Sequence, residues 1–320
     1  MLKTGVIGAG HLGKIHLTLL KENKDFTVVG FYDSDQDVAK RVSKEFDLTS
    51  FTNADELIRQ CDVINIVTPT LFHFDYACRA IKAGKHIFIE KPVTSNPAEA
   101  KKLSLLAREA GITAQAGYVE RFNPAFLAAE PFITRPVFLD FQRISTYNPR
   151  GTDVSVVLDL MIHDIDLMLH LVKSNIKKIS ATGSTVLCDT EDIAEARIEF
   201  DNGCVANLTA SRIAFGNTRK VNVFQKETYL SLDLINKTAV KAEIKKGALS
   251  EGEKAYAAFG NKSLVHQPLE VRPINAIAHE LSLFADAIKN KKQAAVSLDE
   301  AYQTMKIADE ILAIIKKNNS

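Results

Sequence analysis

Apolar runs and amphipathic segments alternate along the first 120 residues of the chain. The apolar runs occupy residues 5–7, 26–32, 62–67, 85–89 and 112–116, and their length and β-branched content are typical of buried strands. Helical periodicity covers residues 38–46, 54–60, 72–83 and 97–109 between them. Strands that alternate with helices predict a doubly wound parallel sheet of the Rossmann type, with right-handed crossovers. We assign residues 1–120 to this N-terminal domain.

The pattern changes after residue 121, where most strand-like runs follow one another without helices between them. These runs cover residues 137–145, 179–187, 194–200, 205–213, 220–224, 228–234 and 238–244. Asp201, Asn202 and Gly203 form a strong hairpin signal between two of them. We predict an α+β domain over residues 121–320, with a largely antiparallel open sheet and final helices near 274–289 and 299–316. The fold class is α/β overall, and the polar residues 247–267 are predicted to be a loop and a candidate lid.

Composition narrows the class of protein without identifying it. The chain has 320 residues, of which 46% are hydrophobic and 25% charged, as in ordinary globular proteins. Its net charge of +1 argues against a general role in binding nucleic acid or a membrane surface. No apolar run is long enough to span a bilayer. The four cysteines lie far apart without a CxxC spacing, which favours reduced thiols and a cytoplasmic location.

A glycine-rich turn follows the first strand and precedes a helical pattern. In such a turn Gly8 permits the tight bend, Gly10 lets the backbone approach a pyrophosphate, and Gly13 lets helix and strand pack closely. Asp33 ends the second apolar run, where a carboxylate holds the ribose hydroxyls of a dinucleotide. A carboxylate there repels a 2′-phosphate. The order of strand, glycine turn, helix, strand and acid therefore predicts a dinucleotide site that favours NAD over NADP.

Polar residues and prolines also stand directly after two later strands. Thr68 and Pro69 follow residues 62–67, and Glu90, Lys91 and Pro92 follow residues 85–89. Ligands of parallel sheets bind beyond the carboxyl ends of the strands. We therefore expect these residues to lie at the ligand-binding edge.

Residues 159–166 place three acids and a histidine among four apolar side chains. At 100° per residue, Asp159, His163, Asp166 and His170 share one stripe of a helix that is apolar on both flanks. Buried charges and imidazoles are costly unless they are paired or used. The stripe fits a metal site, a general acid/base site or a structural polar contact between helices. Asp153 or Ser155 is the expected N-cap of this helix.

The ordered motifs resemble those of the glucose–fructose oxidoreductase/inositol dehydrogenase/MocA family. The resemblance rests on the glycine turn with His16, Thr68-Pro69 with His73, Glu90-Lys91-Pro92, and Asp159 with His163. It implies NAD(P)-dependent oxidation of a sugar or polyol hydroxyl and an oligomer, a homodimer or homotetramer, through the C-terminal sheet. The residues expected to bind the cofactor are Gly8, Gly10, His11, Leu12, Gly13, Asp33, Thr68, Pro69, His73, Glu90 and Lys91.

The resemblance also implies roles for the remaining polar residues. It places Lys91 between nicotinamide and substrate, with Pro92 often cis. Hydride transfer from an alcohol needs a base, a role that suits His163, with Asp159 orienting its ring. Lys91 supplies positive charge at the substrate oxygen, which leaves no need for a metal. We expect Asp166 and His170 to hydrogen-bond within the domain core.

The turn between the two domains carries further candidates for the substrate site. Arg121 and Asn123 contact the substrate or else cap the next helix and brace the linker, and the two alternatives are equally favoured. Arg121, Arg143 and Arg150 are candidate partners of a diphosphate.

Residues 118–124 and 158–166 look most like the branch of the family that oxidises the 3-hydroxyl of UDP-N-acetylglucosamine. Three alternatives stay open: an inositol or free-sugar dehydrogenase, an NAD-dependent glycosidase, and a dinucleotide-binding regulator without turnover. The presence of Lys91, Asp159 and His163 argues against the regulator.

Overall fold

The computed structural model describes residues 1–149, 152, 154–247 and 255–319, without the side chain of residue 259. Arg150, Asp153 and part of the predicted loop, residues 248–254, lie outside this set. The chain divides into two compact units. Unit 1 comprises Met1–Val119 and Asn275–Lys306, and unit 2 comprises Glu120–Ile274 and Ile307–Ser320.

Every residue of unit 1 is described, and the unit is built on a six-stranded parallel sheet of order β3-β2-β1-β4-β5-β6. The strands are β1 Leu2–Ile7, β2 Phe26–Tyr32, β3 Ser50–Phe51, β4 Val63–Ile66, β5 His86–Glu90 and β6 Ala114–Gly117. The helices are α1 His11–Glu22, α2 Gln36–Phe46, α3 Ala54–Gln60, α4 His73–Lys82, α5 Pro97–Glu109 and, late in the chain, α8 Ala276–Lys289. The predicted doubly wound sheet is confirmed.

Helix α8 packs on the core of unit 1 and not in the second domain, where the predicted domain boundaries place it. Its Leu281 and Phe284 are fully buried in the same cluster as Val6 and Phe31, and the Phe284 ring lies 5.9 Å from that of Phe88. The first half of the last helix, α9 Leu298–Asn318, also belongs to unit 1. Helical periodicity predicted both helices but carried no information about the sheet on which each one packs.

Within its described residues, unit 2 contains a nine-stranded sheet of order β14-β15-β13-β12-β11-β7-β10-β9-β8. Among the described strands of this sheet only β7 and β10 pair in parallel, so the predicted largely antiparallel sheet is confirmed. The strands are β7 Pro136–Thr146, β8 Ile176–Ser184, β9 Ile193–Phe200, β10 Val205–Ala214, β11 Thr218–Gln225, β12 Thr228–Asp233, β13 Thr238–Lys246, β14 Ala255–Phe259 and β15 Lys262–Pro268. Helices α6 Pro124–Ala129, α7 Ile162–Leu171 and the end of α9 complete the unit.

The predicted loop over residues 247–267 is wrong for the part that is described. This part forms strands β14 and β15, and β15 pairs with β13 from Val240↔Pro268 to Lys246↔Lys262. Among the β15 residues only Val265 is buried. A strand near a sheet edge with so little buried surface lacks the alternation of apolar and polar residues by which strands are predicted.

No helix in the described ranges is long and apolar enough to cross a membrane. The four cysteines are all free thiols.

Candidate active site

The glycine turn after β1 has the geometry that its sequence predicts. Gly8 has a φ of +97°, and a Cβ on this residue would lie 2.7 Å from the Val67 carbonyl oxygen. A Cβ on Gly13 would lie 2.1 Å from the Gly8 carbonyl oxygen, so α1 can approach the turn only with glycine there. A Cβ on Gly10 would meet no atom of the described residues within 4 Å. Gly8 and Gly13 therefore serve the turn itself, whereas Gly10 faces open space.

The amide groups at the start of α1 are available to an anion. Gly10 is the N-cap residue and has no side chain to accept a hydrogen bond from the first turn. The N-terminal end of a helix carries a partial positive charge, which favours phosphate groups. Asp33 Oδ2 accepts the Ala9 N–H at 2.7 Å, and Asp33 Oδ1 accepts the Asp35 N–H at 2.9 Å. The carboxylate is therefore fixed beside the glycine turn.

A cavity of about 360 Å³ opens at this edge of the sheet. It brings together five of the predicted cofactor residues, namely Gly8, Gly10, Asp33, Thr68 and Pro69. The Thr68 hydroxyl is buried and has no hydrogen-bond partner among the described residues. The Thr68 hydroxyl without a partner, the space beside Gly10 and the start of α1 without a side-chain cap together fit a dinucleotide. His11, Leu12 and Gly13 are not among the lining residues.

Three aromatic side chains that are not among the predicted site residues form another part of the cavity wall. Tyr32, Phe72 and Tyr76 line it, and the rings of the two tyrosines lie 6.2 Å apart, edge to face. Burial raises the pKa of Tyr76 to about 12, so its hydroxyl stays protonated at neutral pH. Tyr32 directly precedes Asp33, a position that signals its place at the strand end. Nothing in the helical pattern of α4 distinguishes Tyr76 from a core residue.

Buried side chains hold the segment after β5 by its backbone. Glu90 Oε1 lies 3.0 Å from His16 Nε2, and Glu90 Oε2 accepts the Lys91 N–H at 3.2 Å. The two ring nitrogens of His73 lie 2.8 Å from the Thr68 carbonyl oxygen and 2.9 Å from that of Pro92. His73 and Glu90 thus brace the loops and are not among the cavity-lining residues. The Lys91–Pro92 bond is cis, as the resemblance implied.

The acid and histidine stretch of unit 2 begins in a π-helical segment. Val157–Met161 is π-helical and α7 starts only at Ile162. The N-cap residue of this segment is Val156 and not Ser155 as predicted, although Ser155 Oγ accepts the Val157 N–H at 3.2 Å just before it. A π-turn is wider than an α-turn, so Asp159 and His163 do not follow the regular 100° spacing of the predicted stripe. These two residues are half-buried, and π-turns within helices often mark functional sites.

Asp164 and Asp166 are buried and bind arginines at two points each. Arg143 Nε and Nη2 lie 3.0 and 2.7 Å from the Asp164 carboxylate, and Arg143 Nη1 lies 2.8 Å from Glu120. Burial alone would raise the pKa of Glu120, but the charges of Arg143 and Arg219 outweigh burial and hold this pKa below its usual value. Arg143 is thus fully engaged within the domain. Its expected role as a diphosphate partner is wrong.

Arg121 and Asn123 take part in bracing contacts. Arg121 Nε and Nη2 each lie 2.7 Å from an oxygen of Asp166. Asn123 accepts the Ala125 N–H at the start of α6 and donates to the Leu234 carbonyl oxygen. The structure thus supports the capping and bracing alternative for both residues. Asp166 and His170 lie in polar contacts of the domain, as expected, with His170 Nε2 at 2.6 Å from Glu130 Oε1.

Groups of three or more potential ligands that could hold a metal ion do not occur among the described residues. Lys91 belongs to unit 1, and Asp159 and His163 belong to unit 2.

Two family models match the chain. One describes an oxidoreductase family with an NAD-binding Rossmann fold, GFO_IDH_MocA, and covers residues 2–118. The other describes the GFO/IDH/MocA C-terminal domain and covers residues 135–230.

Sequence relatives agree with these models. UDP-N-acetylglucosamine 3-dehydrogenase of Acidithiobacillus ferrooxidans is 36% identical over 239 residues, which cover 74% of this chain and 75% of the relative. An NAD⁺-dependent scyllo-inositol 2-dehydrogenase of Bacillus subtilis is 25% identical, and the alignment covers 92% of this chain and 89% of the relative.

Solved structures share the whole fold. The structure of the Acidithiobacillus ferrooxidans enzyme superposes with a TM-score of 0.90 at 29% identity and covers 99% of this chain and 98% of that one. Levoglucosan dehydrogenase in complex with NADH has a TM-score of 0.84 at 20% identity and covers 99% of this chain and 97% of that one, which shows the fold alone.

Proposed function

The chain belongs to the GFO/IDH/MocA oxidoreductase family, and on this basis we propose that it oxidises the 3-hydroxyl of UDP-N-acetylglucosamine. The observation that carries the proposal is the similarity to a UDP-N-acetylglucosamine 3-dehydrogenase, at 36% identity over 74% of the chain. Other relatives, at 25% identity, include enzymes that act on inositols.

The cofactor of the proposed reaction is NAD, held in unit 1. Gly10 and the uncapped start of α1 would receive the pyrophosphate, and Asp33 would hold the adenosine ribose. A carboxylate at this position repels the 2′-phosphate of NADP, which supports the preference for NAD. Bound there, the nicotinamide supplies the acceptor for the hydride that leaves the carbinol carbon.

Residues of the chain accept the proton of the substrate hydroxyl and stabilise the negative charge that develops on the substrate oxygen. His163 takes the hydroxyl proton on a ring nitrogen, a task that suits an imidazole near neutral pH. Asp159 orients the ring and stabilises the imidazolium that forms. The ammonium group of Lys91 stabilises the developing negative charge on the substrate oxygen. These assignments rest on the family resemblance of the Glu90-Lys91-Pro92 and Asp159–His163 motifs.

A cofactor-reduction assay tests the proposal. NADH formation is followed with UDP-N-acetylglucosamine, free N-acetylglucosamine, glucose and myo-inositol at equal concentrations. We expect turnover with the nucleotide sugar and a product that has lost two hydrogen atoms by mass spectrometry. Free N-acetylglucosamine is the matched control, because it carries the same hydroxyl without the nucleotide. Equal or faster turnover of an unactivated polyol would contradict the nucleotide-sugar assignment.

A second candidate function is the oxidation of an inositol or a free sugar. The similarity to scyllo-inositol 2-dehydrogenase favours it, because that similarity extends over 92% of the chain. The same assay separates the two candidates.

The proposed assembly is a homodimer or homotetramer through the sheet of unit 2. An aromatic row supports it, since the Phe224 ring lies 5.9 Å from Phe138 and 4.8 Å from Tyr229, and Phe224 is 40% exposed. Light scattering should show an oligomer that dissociates in Phe224→Glu; an unchanged mass would oppose this surface. We also propose a cytoplasmic location, which the free thiols support.

A further inference from the structure

We propose that two buried histidines, His16 and His73, position the catalytic lysine from opposite sides of its chain segment. They are positioning residues, and their catalytic meaning rests on the function proposed above. His16 acts on Lys91 through Glu90, the residue before it. His73 acts through Pro92, the residue after it. Neither histidine lines the cavity at the glycine turn.

The first brace joins α1 to the start of the lysine segment. His16 lies on α1 and is fully buried, with its ring 5.4 Å from that of Phe88. Its Nε2 lies 3.0 Å from Glu90 Oε1, while Glu90 Oε2 accepts the backbone N–H of Lys91 at 3.2 Å. A buried carboxylate is costly without such partners. The Glu90 side chain is therefore a fixed link from the glycine-turn helix to the Lys91 backbone.

The space around Glu90 leaves this link little freedom. A Cβ on Gly117 would lie 3.0 Å from both the Glu90 carboxyl carbon and its Oε1. Strand β6, which ends at Gly117, pairs with β5 so that Glu90 faces Gly117 directly. The carboxylate is thus confined by the Gly117 backbone while His16 and the Lys91 amide hold it by hydrogen bonds.

The second brace joins the ends of β4 and β5. His73 is 1% exposed, and its ring bridges the carbonyl oxygens of Thr68 and Pro92 at 2.8 and 2.9 Å. Thr68 follows β4 and lines the cavity, whereas Pro92 follows Lys91. A neutral imidazole donates from one nitrogen at a time, so its single proton serves one of the two carbonyl groups. The other nitrogen has no proton to donate, so His73 links the Thr68 loop and the lysine segment through one hydrogen bond and through its buried ring, which lies between the two carbonyl groups.

Positioning of this kind has a large effect on rate. A displacement of about 1 Å in a reacting group can cost on the order of 10²-fold in rate, even when its cause lies away from the chemistry. Loss of either brace should therefore lower kcat and leave the KM for the sugar substrate nearly unchanged.

The test compares variants that keep or remove the donor. His16→Leu and His73→Leu remove the ring nitrogens, whereas His16→Gln and His73→Gln retain an N–H donor. His86→Leu is the matched control: His86 lies at the other end of β5 and accepts the Thr113 N–H at 2.9 Å. We expect kcat to fall by on the order of 10²-fold in the leucine variants and to recover in the glutamine variants. His86→Leu should keep its kcat; an equal loss there would overturn the proposal.

A second readout does not depend on the substrate. The acetylation rate of Lys91 by acetic anhydride is measured by peptide mass spectrometry, with the other lysines as internal references. We expect this rate alone to change in His16→Leu and His73→Leu and to return in the glutamine variants. An unchanged Lys91 rate in folded leucine variants would overturn the positioning role. An inactive wild-type enzyme with the expected labelling pattern would instead refute only the proposed function.

Glu90→Gln tests the first brace even if the leucine variants do not fold. It preserves the size of the side chain and weakens both contacts of the first brace. We expect the same change in Lys91 labelling as in His16→Leu, and an unchanged rate would count against the brace.

Discussion

Arg121 forms a bidentate ion pair with Asp166, with Nε and Nη2 each 2.7 Å from a carboxylate oxygen and both residues at least 94% buried. Arg121 lies two positions after Val119, which ends the first segment of unit 1, whereas Asp166 lies in the middle of α7. The pair therefore fixes the helix that carries His163 to the first turn of unit 2. A substrate-binding role for Arg121 would require its release from this pair.

The first prediction concerns the stability of this ion pair. Arg121→Met leaves the Asp166 carboxylate buried without its arginine, which should cost about 3–5 kcal/mol in the free energy of unfolding. The matched control is Arg197→Met, because Arg197 is half exposed and lies 3.6 Å from Glu199. Urea unfolding should show little change in the control. The double variant Arg121→Met/Asp166→Leu should recover part of the loss, and no recovery would contradict the ion-pair explanation.

The second prediction separates two glycines of one turn. A methyl group on Gly13 would press on the Gly8 carbonyl oxygen, whereas one on Gly10 would meet no atom in the described part of the chain. Gly13→Ala should therefore lower both thermal stability and NAD affinity. Gly10→Ala should keep the stability and weaken NAD binding by about tenfold or more, or at least about 1.4 kcal/mol. Calorimetric titration measures the affinity, with Gly216→Ala as the control because its Cβ would also meet nothing. Wild-type affinity in Gly10→Ala would argue against the pyrophosphate site.

The third prediction tests the preference for NAD over NADP. Asp33→Asn removes the negative charge that lines the cavity, so the ratio of the two dissociation constants should shift toward NADP by about tenfold or more. Asp35→Asn is the matched control, because Asp35 caps α2 and does not line the cavity. Fluorescence titration with both reduced cofactors measures the ratio. A similar shift in the control would show that the effect does not come from Asp33.

The fourth prediction concerns the proposed base. His163→Ala should reduce kcat by on the order of 10²-fold or more, the loss expected for a general base, and leave NAD affinity nearly unchanged. His170→Ala is the control on the same helix, because His170 pairs with Glu130. It should affect stability more than turnover. Full turnover in His163→Ala would exclude this residue as the base.

The fifth prediction follows from the lowered pKa of Glu120. Glu120 binds protons less readily in the folded protein than in the unfolded chain, whose glutamate pKa is about 4.5. Its stabilising contribution is therefore complete above pH 4.5 and is lost as the pH falls through the folded-state value. Urea unfolding between pH 3 and 7 should show a smaller acid-induced loss in Glu120→Gln than in the wild type. An identical slope in both proteins would show that Glu120 does not contribute to the acid transition.

The sequence predicted five of the six strands of unit 1, its helices and the main strands of unit 2, because each depends on short-range patterns. Buried strands, the turn at Gly8 and the hairpin at Gly203 (φ +84°) all have direct signatures in neighbouring residues. The cofactor edge was also predictable, since the carboxyl ends of parallel strands meet at one edge whatever the packing of the side chains. Gly8, Gly10, Asp33, Thr68 and Pro69 line one cavity for this reason.

Predictions failed where the outcome depends on contacts between distant residues. The charge of Arg143 made it a candidate to bind a diphosphate. Its guanidinium instead forms ion pairs with Asp164 and Glu120, which lie 21 and 23 residues away along the chain. Strand β15 lacks a local signature because its pairing with β13 comes from backbone groups that every residue carries.

By itself the sequence thus determined the fold class, the family and the dinucleotide edge, because periodicity and turn residues act over a few positions. Only the tertiary structure decided which polar residues are buried and bind other groups of the protein. Arg121 with Asp166, and His73 with the Thr68 and Pro92 carbonyl groups, meet only after the elements pack. A buried charge or imidazole needs a hydrogen-bond or ion-pair partner, because burial without one is costly. Which residue is that partner depends on which groups lie nearby in the folded protein.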